Sequence, residues 1–276
     1  MNLSDYSLLQ ISGTDAAKFL QGQLTCDIEQ INPELSSLGA HCNAKGRIMS
    51  FFRLFLRNDS YYLLMPTEVI ADALIALKKY ALFSKVKLDI IQANCFAVQT
   101  ITKDLLLPTV DNTVINDDSI TYIRIRGKTP RYFIIDFAKT MKLKSMDTTQ
   151  WHQLDIIAGI PRLYPNTIGA FLPHYLNLPA LGAVSFQKGC YTGQEIIARM
   201  QHRGKLKQHM VIRYLQTTKS LVPGTKCLDI NQKNIGQIID TVANDAQQLC
   251  LLLLQDQAYN ESEIIVDEEK IKMTPV

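Results

Sequence analysis

Lys188-Gly189-Cys190-Tyr191-Thr192-Gly193-Gln194-Glu195, followed by Ile196-Ile197-Ala198-Arg199-Met200, reads as a tight turn feeding a helix. Thr192 and Glu195 have the spacing of a capping box, in which the hydroxyl accepts from the N–H of Glu195 and the carboxylate reaches back to the N–H of Thr192. A helix start is therefore predicted at Thr192, with Gly189 and Gly193 shaping the turn. Cys190 then lies ahead of the positive end of the helix, two residues from Lys188, and both neighbours favour a thiolate over a thiol. On that reading Cys190 is a reactive cysteine. On the other it is a small buried filler, since free cysteines are among the most buried residues.

Upstream, the stretch from Leu163 to Gln187 contains no Lys, Arg, Asp or Glu. Pro165, Pro173 and Pro179 break it up, so it is expected to be irregular packed chain and not a membrane span. Downstream, Arg199, Arg203, Lys205 and Lys207 with His202 and His209 form the strongest local run of positive charge. Such a run holds a phosphate, a polyglutamate tail or RNA, or simply faces water. His202 and His209 are too far apart for a metal pair one helical turn apart.

The chain has 276 residues, 47% apolar and 20% charged, enough for two or three compact units with real cores. Its net charge of +3, from 29 basic and 26 acidic residues, is too small to indicate nucleic-acid binding by itself. Met1-Asn2-Leu3-Ser4-Asp5-Tyr6 lacks the basic and apolar regions of a secretory signal, so the cytoplasm is the expected location. The cysteines at 26, 42, 95, 190, 227 and 250 include no Cys-x-x-Cys pair. Neither a zinc site nor a cluster-ligand motif is visible, and free thiols are expected.

Local patterns place a strand at Ser7–Ser12, a helix from Asp15 to Gln21 capped by Thr14 and ended by Gly22, and a hairpin of 46–56 with Tyr61–Met65 across Asn58-Asp59. An apolar stripe of Ile70, Ala73, Leu74, Leu77 and Ala81 behind Thr67 predicts a second helix. Val86–Val98 opens a second unit with paired strands Ile120–Arg126 and Arg131–Phe137, and a helix is expected over Thr149–Ala158. Short strands at Met210–Leu215, Lys226–Ile230, Ile235–Val242, Leu249–Leu254 and Glu263–Val266 read as a small β-barrel. The expected class is α+β, divided into 1–90, 91–145, 146–204 and 205–276.

Two further groups read as binding residues. Trp151, the only tryptophan, offers a flat face for a heteroaromatic ring, or is core. His41-Cys42-Asn43-Ala44-Lys45-Gly46-Arg47 gathers polar and cationic groups ahead of a strand, where Lys45 and Arg47 face carboxylates or water.

Taken together, the octet and its surroundings resemble the YgfZ family of folate-binding proteins that serve iron–sulphur cluster maintenance and tRNA modification. The resemblance runs from Gly159 through Arg203 and includes Asn177-Leu178-Pro179-Ala180-Leu181-Gly182 and Ser185-Phe186-Gln187. It returns in Gln21-Gly22-Gln23-Leu24-Thr25-Cys26-Asp27, in the block from His41 to Arg47, and in Lys78-Lys79-Tyr80-Ala81-Leu82-Phe83-Ser84-Lys85-Val86. It implies the three-lobed architecture of the glycine-cleavage T-protein around a central site for tetrahydrofolate. Trp151 matches one folate-contacting tryptophan of the family, and Tyr6 stands where the family has a second. Lys45, Arg47, Lys188 and Arg199 are the candidate cations for the same ligand, and Cys190 is the candidate reactive group, projecting toward the cleft.

The resemblance also exposes departures. Asn43 replaces a usual aspartate, and the strand after Gly46 (Arg47-Ile48-Met49-Ser50-Phe51-Phe52) lacks the T-protein's folate-activating aspartate. General acid–base help to a folate amine needs such a group, so aminomethyl transfer is disfavoured. Asp27 and Glu195 remain substitutes, with Glu195 expected to be used in capping. The implied function is an accessory role toward iron–sulphur client enzymes, including radical tRNA-modifying ones, and not a stand-alone enzyme. Folate-dependent one-carbon transfer and direct tRNA binding are the alternatives, and no membrane is involved.

Overall fold

The computed structural model describes residues 5–99 and 107–276, except for the side chain of Arg203, which belongs to the basic run. Residues 1–4, part of the stretch read for a secretory signal, lie outside the described residues.

Chain order begins with β1 (Tyr6–Ser12), α1 (Ala16–Gln23), β2 (Ser37–Cys42), β3 (Ile48–Arg57), β4 (Ser60–Pro66), α2 (Thr67–Lys78) and β5 (Lys87–Ile91). These strands form one antiparallel sheet in the order β2-β3-β4-β1-β5. Asn58 and Asp59 both take positive φ (45° and 54°), the two-residue hairpin geometry that the pattern suggested. Alternation along the strands gives the sheet two apolar faces. Leu9, Ile11, Phe52, Leu54 and Leu63 meet α1 and α2, while Leu8, Phe51, Phe55, Tyr62 and Leu64 turn to the centre of the molecule.

The expected start and end of α1 both shift. Asp15, not Thr14, precedes the helix, and its carboxylate accepts from the N–H of Lys85 at 2.7 Å. The helix also runs through Gly22, which faces open space, so nothing there forces a stop. The stretch Val86–Val98 divides: β5 completes the first sheet, and β6 (Asn94–Val98) starts the second with β7 (Val114–Asp117), β8 (Ile120–Ile125) and β9 (Arg131–Asp136), ordered β6-β9-β8-β7.

Helix α3 (Thr148–Ile157) follows, capped by the Asp147 carboxylate, which accepts from the N–H groups of Thr149 and Gln150. The uncharged stretch after it is irregular, with short 3₁₀ turns at Pro165–Thr167 and Pro173–Leu176. Then come α4 (Gln194–Arg203), β10 (Gln208–Leu215), β11 (Lys226–Leu228), β12 (Asn234–Asn244), β13 (Gln247–Gln255), β14 (Glu263–Val266) and β15 (Glu269–Pro275). The last six strands close into a barrel. On β13, Cys250, Leu252 and Leu254 fill the barrel, whereas Leu249, Leu251 and Leu253 pack outward into the central core. Burial on both faces explains the unbroken apolar run. Among the described residues, no helix is long and apolar enough to cross a membrane.

A buried polar cluster fastens the barrel to α3. Asp240, at a register irregularity in β12, accepts from Tyr164 Oη (2.5 Å), the N–H of Arg162 (3.1 Å) and the N–H of Thr241 (2.8 Å), and lies 2.8 Å from His152 Nε2. Burial disfavours a charge on His152, but the hydrogen bond and charge of Asp240 outweigh it, so its pKa rises above the ordinary 6.5. A base with a raised folded pKa contributes stability that is complete below its unfolded value and is lost as pH rises through the folded one. The urea unfolding free energy is expected to lose this contribution as pH rises above 6.5 through the raised folded value, and His152→Gln should remove that part of the loss. An unchanged pH profile in the variant would refute the charged pairing.

Candidate functional site

The octet is anchored from the inside. Lys188 is buried, and its Nζ donates to the carbonyls of Leu24 and Cys26, each at 2.8 Å, while lying 5.1 Å from the centroid of the Tyr191 ring. Thr25 sits between these carbonyls. Its Oγ1 donates to Ala183 O (2.6 Å) and accepts from the N–H of Ala40 (2.9 Å), and its own carbonyl accepts from the N–H of Ser185 (2.8 Å).

The predicted capping box does not form. Thr192 Oγ1 bonds Gln23 Oε1 at 3.1 Å, its N–H donates to Gly22 O, and α4 starts two residues later behind Gly193. Glu195 is exposed in the first turn, where its charge suits the helix dipole without bonding back to Thr192. Gly193 has φ +84°, and a Cβ there would stand 2.5 Å from Asn43 O. Only glycine permits that approach. The block from His41 to Arg47 therefore docks directly on the start of α4.

Within that block, Asn43 Oδ1 accepts from the N–H groups of Lys45 (2.9 Å) and Arg47 (3.1 Å), holding the turn. Arg47 Nη1 donates to Ala170 O at 2.6 Å, and Lys45 is exposed. His41 is buried 5.8 Å from the Tyr80 ring, and burial lowers its pKa to about 4. Asp27, the other carboxylate considered for acid–base work, accepts from Gln21 Nε2 and the N–H of Glu29.

Cys190 alone among the six cysteines is exposed, so it is not a buried filler. Burial pushes the other five thiols up to about 12. Cys190 lines a surface depression with Ala17, Lys18, Gln21, Ile28 and Tyr61. Lys188 turns the opposite way, inward to its two carbonyls.

A separate cleft opens between the first sheet, the second sheet and α3 with the segment that follows it. Tyr6, Phe51, Phe52, Phe133, Arg53, His152, Asp155 and Arg162 contribute to its walls. The Tyr6 ring lies 5.1 Å from Phe133, and its hydroxyl donates to Asp155 Oδ2 at 3.4 Å. Arg131 Nη1 donates to Asp155 Oδ1 at 2.6 Å, fully buried. Trp151, 1% exposed, packs behind Phe133 with ring centroids 4.7 Å apart and Arg131 4.9 Å from its ring. Its Nε1–H is buried without a partner among the described residues.

Tyr6 and Trp151 thus come together around Phe133. Lys45, Arg47, Lys188 and Arg199 do not line this cleft, Arg199 being exposed on α4, and Cys190 shares no wall with it. Among the described residues, no group of metal-ligating side chains forms. Sequence reasoning missed Asp155, Arg131, Phe133, Arg162 and Arg53. The available signal was Trp151 and Asp155 at i and i+4, which puts the carboxylate on the same helix face as the indole.

No family model matches the chain. It is 39% identical over 228 residues to the tRNA-modifying protein YgfZ of Colwellia psychrerythraea, covering 75% of this chain and 69% of that protein. The tRNA-modifying protein YgfZ of Hamiltonella defensa is 34% identical over 224 residues, covering 75% and 67%. An uncharacterized protein of Haemophilus influenzae is 34% identical over 250 residues, covering 89% and 85%. The crystal structure of glycine cleavage system aminomethyltransferase T from Bartonella henselae matches 99% of this chain and 83% of its own with a TM-score of 0.71 at 15% identity. That is a likeness of fold.

Burial lowers the Lys188 pKa to about 8, with Cys26 and Asp27 opposing the shift. A lysine with a depressed folded pKa binds fewer protons folded than unfolded, so its contribution to stability grows as pH rises from the folded value toward the unfolded one. Lys188→Met strands two buried carbonyls and is expected to cost about 1–3 kcal/mol for each. The gap between wild type and variant should widen from about pH 7 to about pH 10, measured by urea unfolding. A constant gap would mean that the amine does not titrate there.

Proposed function

The chain belongs to the family of the tRNA-modifying protein YgfZ, and on that premise we propose that it binds tetrahydrofolate in the aromatic cleft. We further propose that it acts in the cytoplasm as an accessory protein in assembly or repair of iron–sulphur clusters in client enzymes, tRNA-modifying ones among them. The observation that carries the folate reading is the pairing of aromatic walls, Tyr6 and Phe133, with the buried Asp155 carboxylate.

A reduced pterin presents a flat ring and N–H donors, which suit such walls and such an acceptor. The unpartnered Nε1–H of Trp151, just behind Phe133, is a further donor available once the cleft rearranges. When bound, the folate supplies a one-carbon carrier. The cavity of about 50 Å³ holds only a few waters, so a ring enters by displacing Tyr6. Tyr6 is the wall suited to move: it begins β1, and its hydroxyl is held by the long 3.4 Å bond to Asp155. Arg131 orients Asp155 through its 2.6 Å bond to Oδ1. Cys190, outward on the α1 side, presents its thiol to a client.

The T-protein-like fold favours one alternative, folate-dependent one-carbon transfer. Against it, Asp155 is held by Arg131 and Tyr6, and His152 is held by Asp240, so no wall residue is a free general base.

Titration with tetrahydrofolate should quench Trp151 emission saturably, and Tyr6→Ala should weaken binding about tenfold, a loss typical of one aromatic contact. No saturable change, confirmed by calorimetry, would overturn the folate reading. In cells lacking this chain, wild type should restore iron–sulphur-dependent tRNA modification and Cys190→Ala should not. Full restoration by the alanine variant would remove the thiol from the function.

A further inference from the structure

The cleft holds one cation that its walls do not balance. Arg131 pairs with Asp155, Arg162 with Glu68 at 3.3 Å, and His152 with Asp240. Arg53 lines the same cleft at 4% exposure, yet among the described residues it forms no ion pair. Its Nη1 donates to two neutral acceptors, Ser36 Oγ at 3.1 Å and Asn112 Oδ1 at 2.8 Å. Among the described residues, Nε and Nη2 make no hydrogen bond. Burial pushes the pKa down to about 10, which leaves the group charged at neutral pH. Three of its five N–H donors are thus left for a ligand or water.

Asp155, which lines the same cavity, accepts from Arg131 and Tyr6. Arg53 and Asp155 then line one narrow cleft together with Tyr6 and Phe133. We propose that Arg53 and Asp155 together read the edge of a flat heterocycle in which a carbonyl oxygen adjoins N–H donors, with Arg53 donating to the oxygen and Asp155 accepting from the N–H groups. Two sources carry this 2-amino-4-oxopyrimidine edge, a pterin and a guanine. The inference rests on the cleft being the ligand site and adds that Arg53 sets the specificity for oxygen at that ring position. A 4-amino group there would oppose donor to donor, and a site built for one hydrogen-bond pattern rejects the other.

The test compares folic acid, its 4-amino analogue aminopterin, and guanosine monophosphate by calorimetry on the full chain and on Arg53→Met. Wild type should prefer the 4-oxo compound by about tenfold to a hundredfold, and Arg53→Met should bring the two pteridines close together by weakening the 4-oxo one. Equal wild-type affinities for the two would overturn the assignment without touching the folate reading. Failure of every pteridine to bind would instead remove the folate reading, and tight guanosine monophosphate binding in that case would make guanine the source. The wild-type comparison decides by itself should Arg53→Met not fold.

Discussion

The ammonium of Lys188, buried against two backbone carbonyls, is the constraint on which the signature region depends. An amine on a four-carbon stem reaches from one segment to carbonyls more than 160 positions earlier, between Leu24 and Cys26. Once it points inward, Tyr191 fills the central core and Cys190 is left outside. Thr192 meets the end of α1, and Gly193 lets the 43–46 turn come into backbone contact with the start of α4. Three sequence-distant blocks become one knot, and their composition follows from it: a long cation, a small hydroxyl at Thr25, and glycine where a Cβ would collide.

The cleft has a different physical origin. The first sheet, the second sheet and α3 meet there without filling the space completely. The first sheet commits its other face to α1 and α2, and β13 commits its other face to the barrel interior. What remains at the junction is lined by aromatic rings and by Arg53, His152, Asp155 and Arg162. Arg131 and Asp155 are buried as a pair because either alone would be an uncompensated charge in an apolar setting.

Local periodicity made much of the fold legible. The Asn58-Asp59 hairpin, the α2 stripe and most barrel strands depend on neighbours a few residues away, so a window of sequence contains the cause. Strand β2 was not legible. Ser37-Leu38-Gly39-Ala40-His41-Cys42 has no β-branched residue, and Gly39 is there because a Cβ would stand 2.6 Å from Cys26 Sγ. The capping box failed for a related reason: its spacing is local, but Thr192 is taken by Gln23, a partner 169 residues away. The family resemblance brought Tyr6 and Trp151 to notice. It could not supply Arg53 and Asp155, whose significance lies in which cations find carboxylates after folding.

Two buried cations therefore play opposite parts. Lys188 is a compact donor whose surroundings are complete: two carbonyls take its hydrogens and the Tyr191 ring covers it, so it closes a structural knot and leaves nothing for a ligand. Arg53 carries a five-donor fork, of which two neutral acceptors engage a single nitrogen. Geometry makes the difference, since a guanidinium is too wide to be satisfied from one side. Ser36 and Asn112 hold one nitrogen of the fork, and Arg53 lines the cleft together with Tyr6 and Phe133. A purely structural arginine in that place would be expected to draw a carboxylate from the wall opposite, as Arg131 does. That Arg53 draws none, while Asp155 is tied to its neighbour, leaves a fixed donor edge and a fixed acceptor edge in one cavity, which is the arrangement a planar ligand needs and a closed core does not.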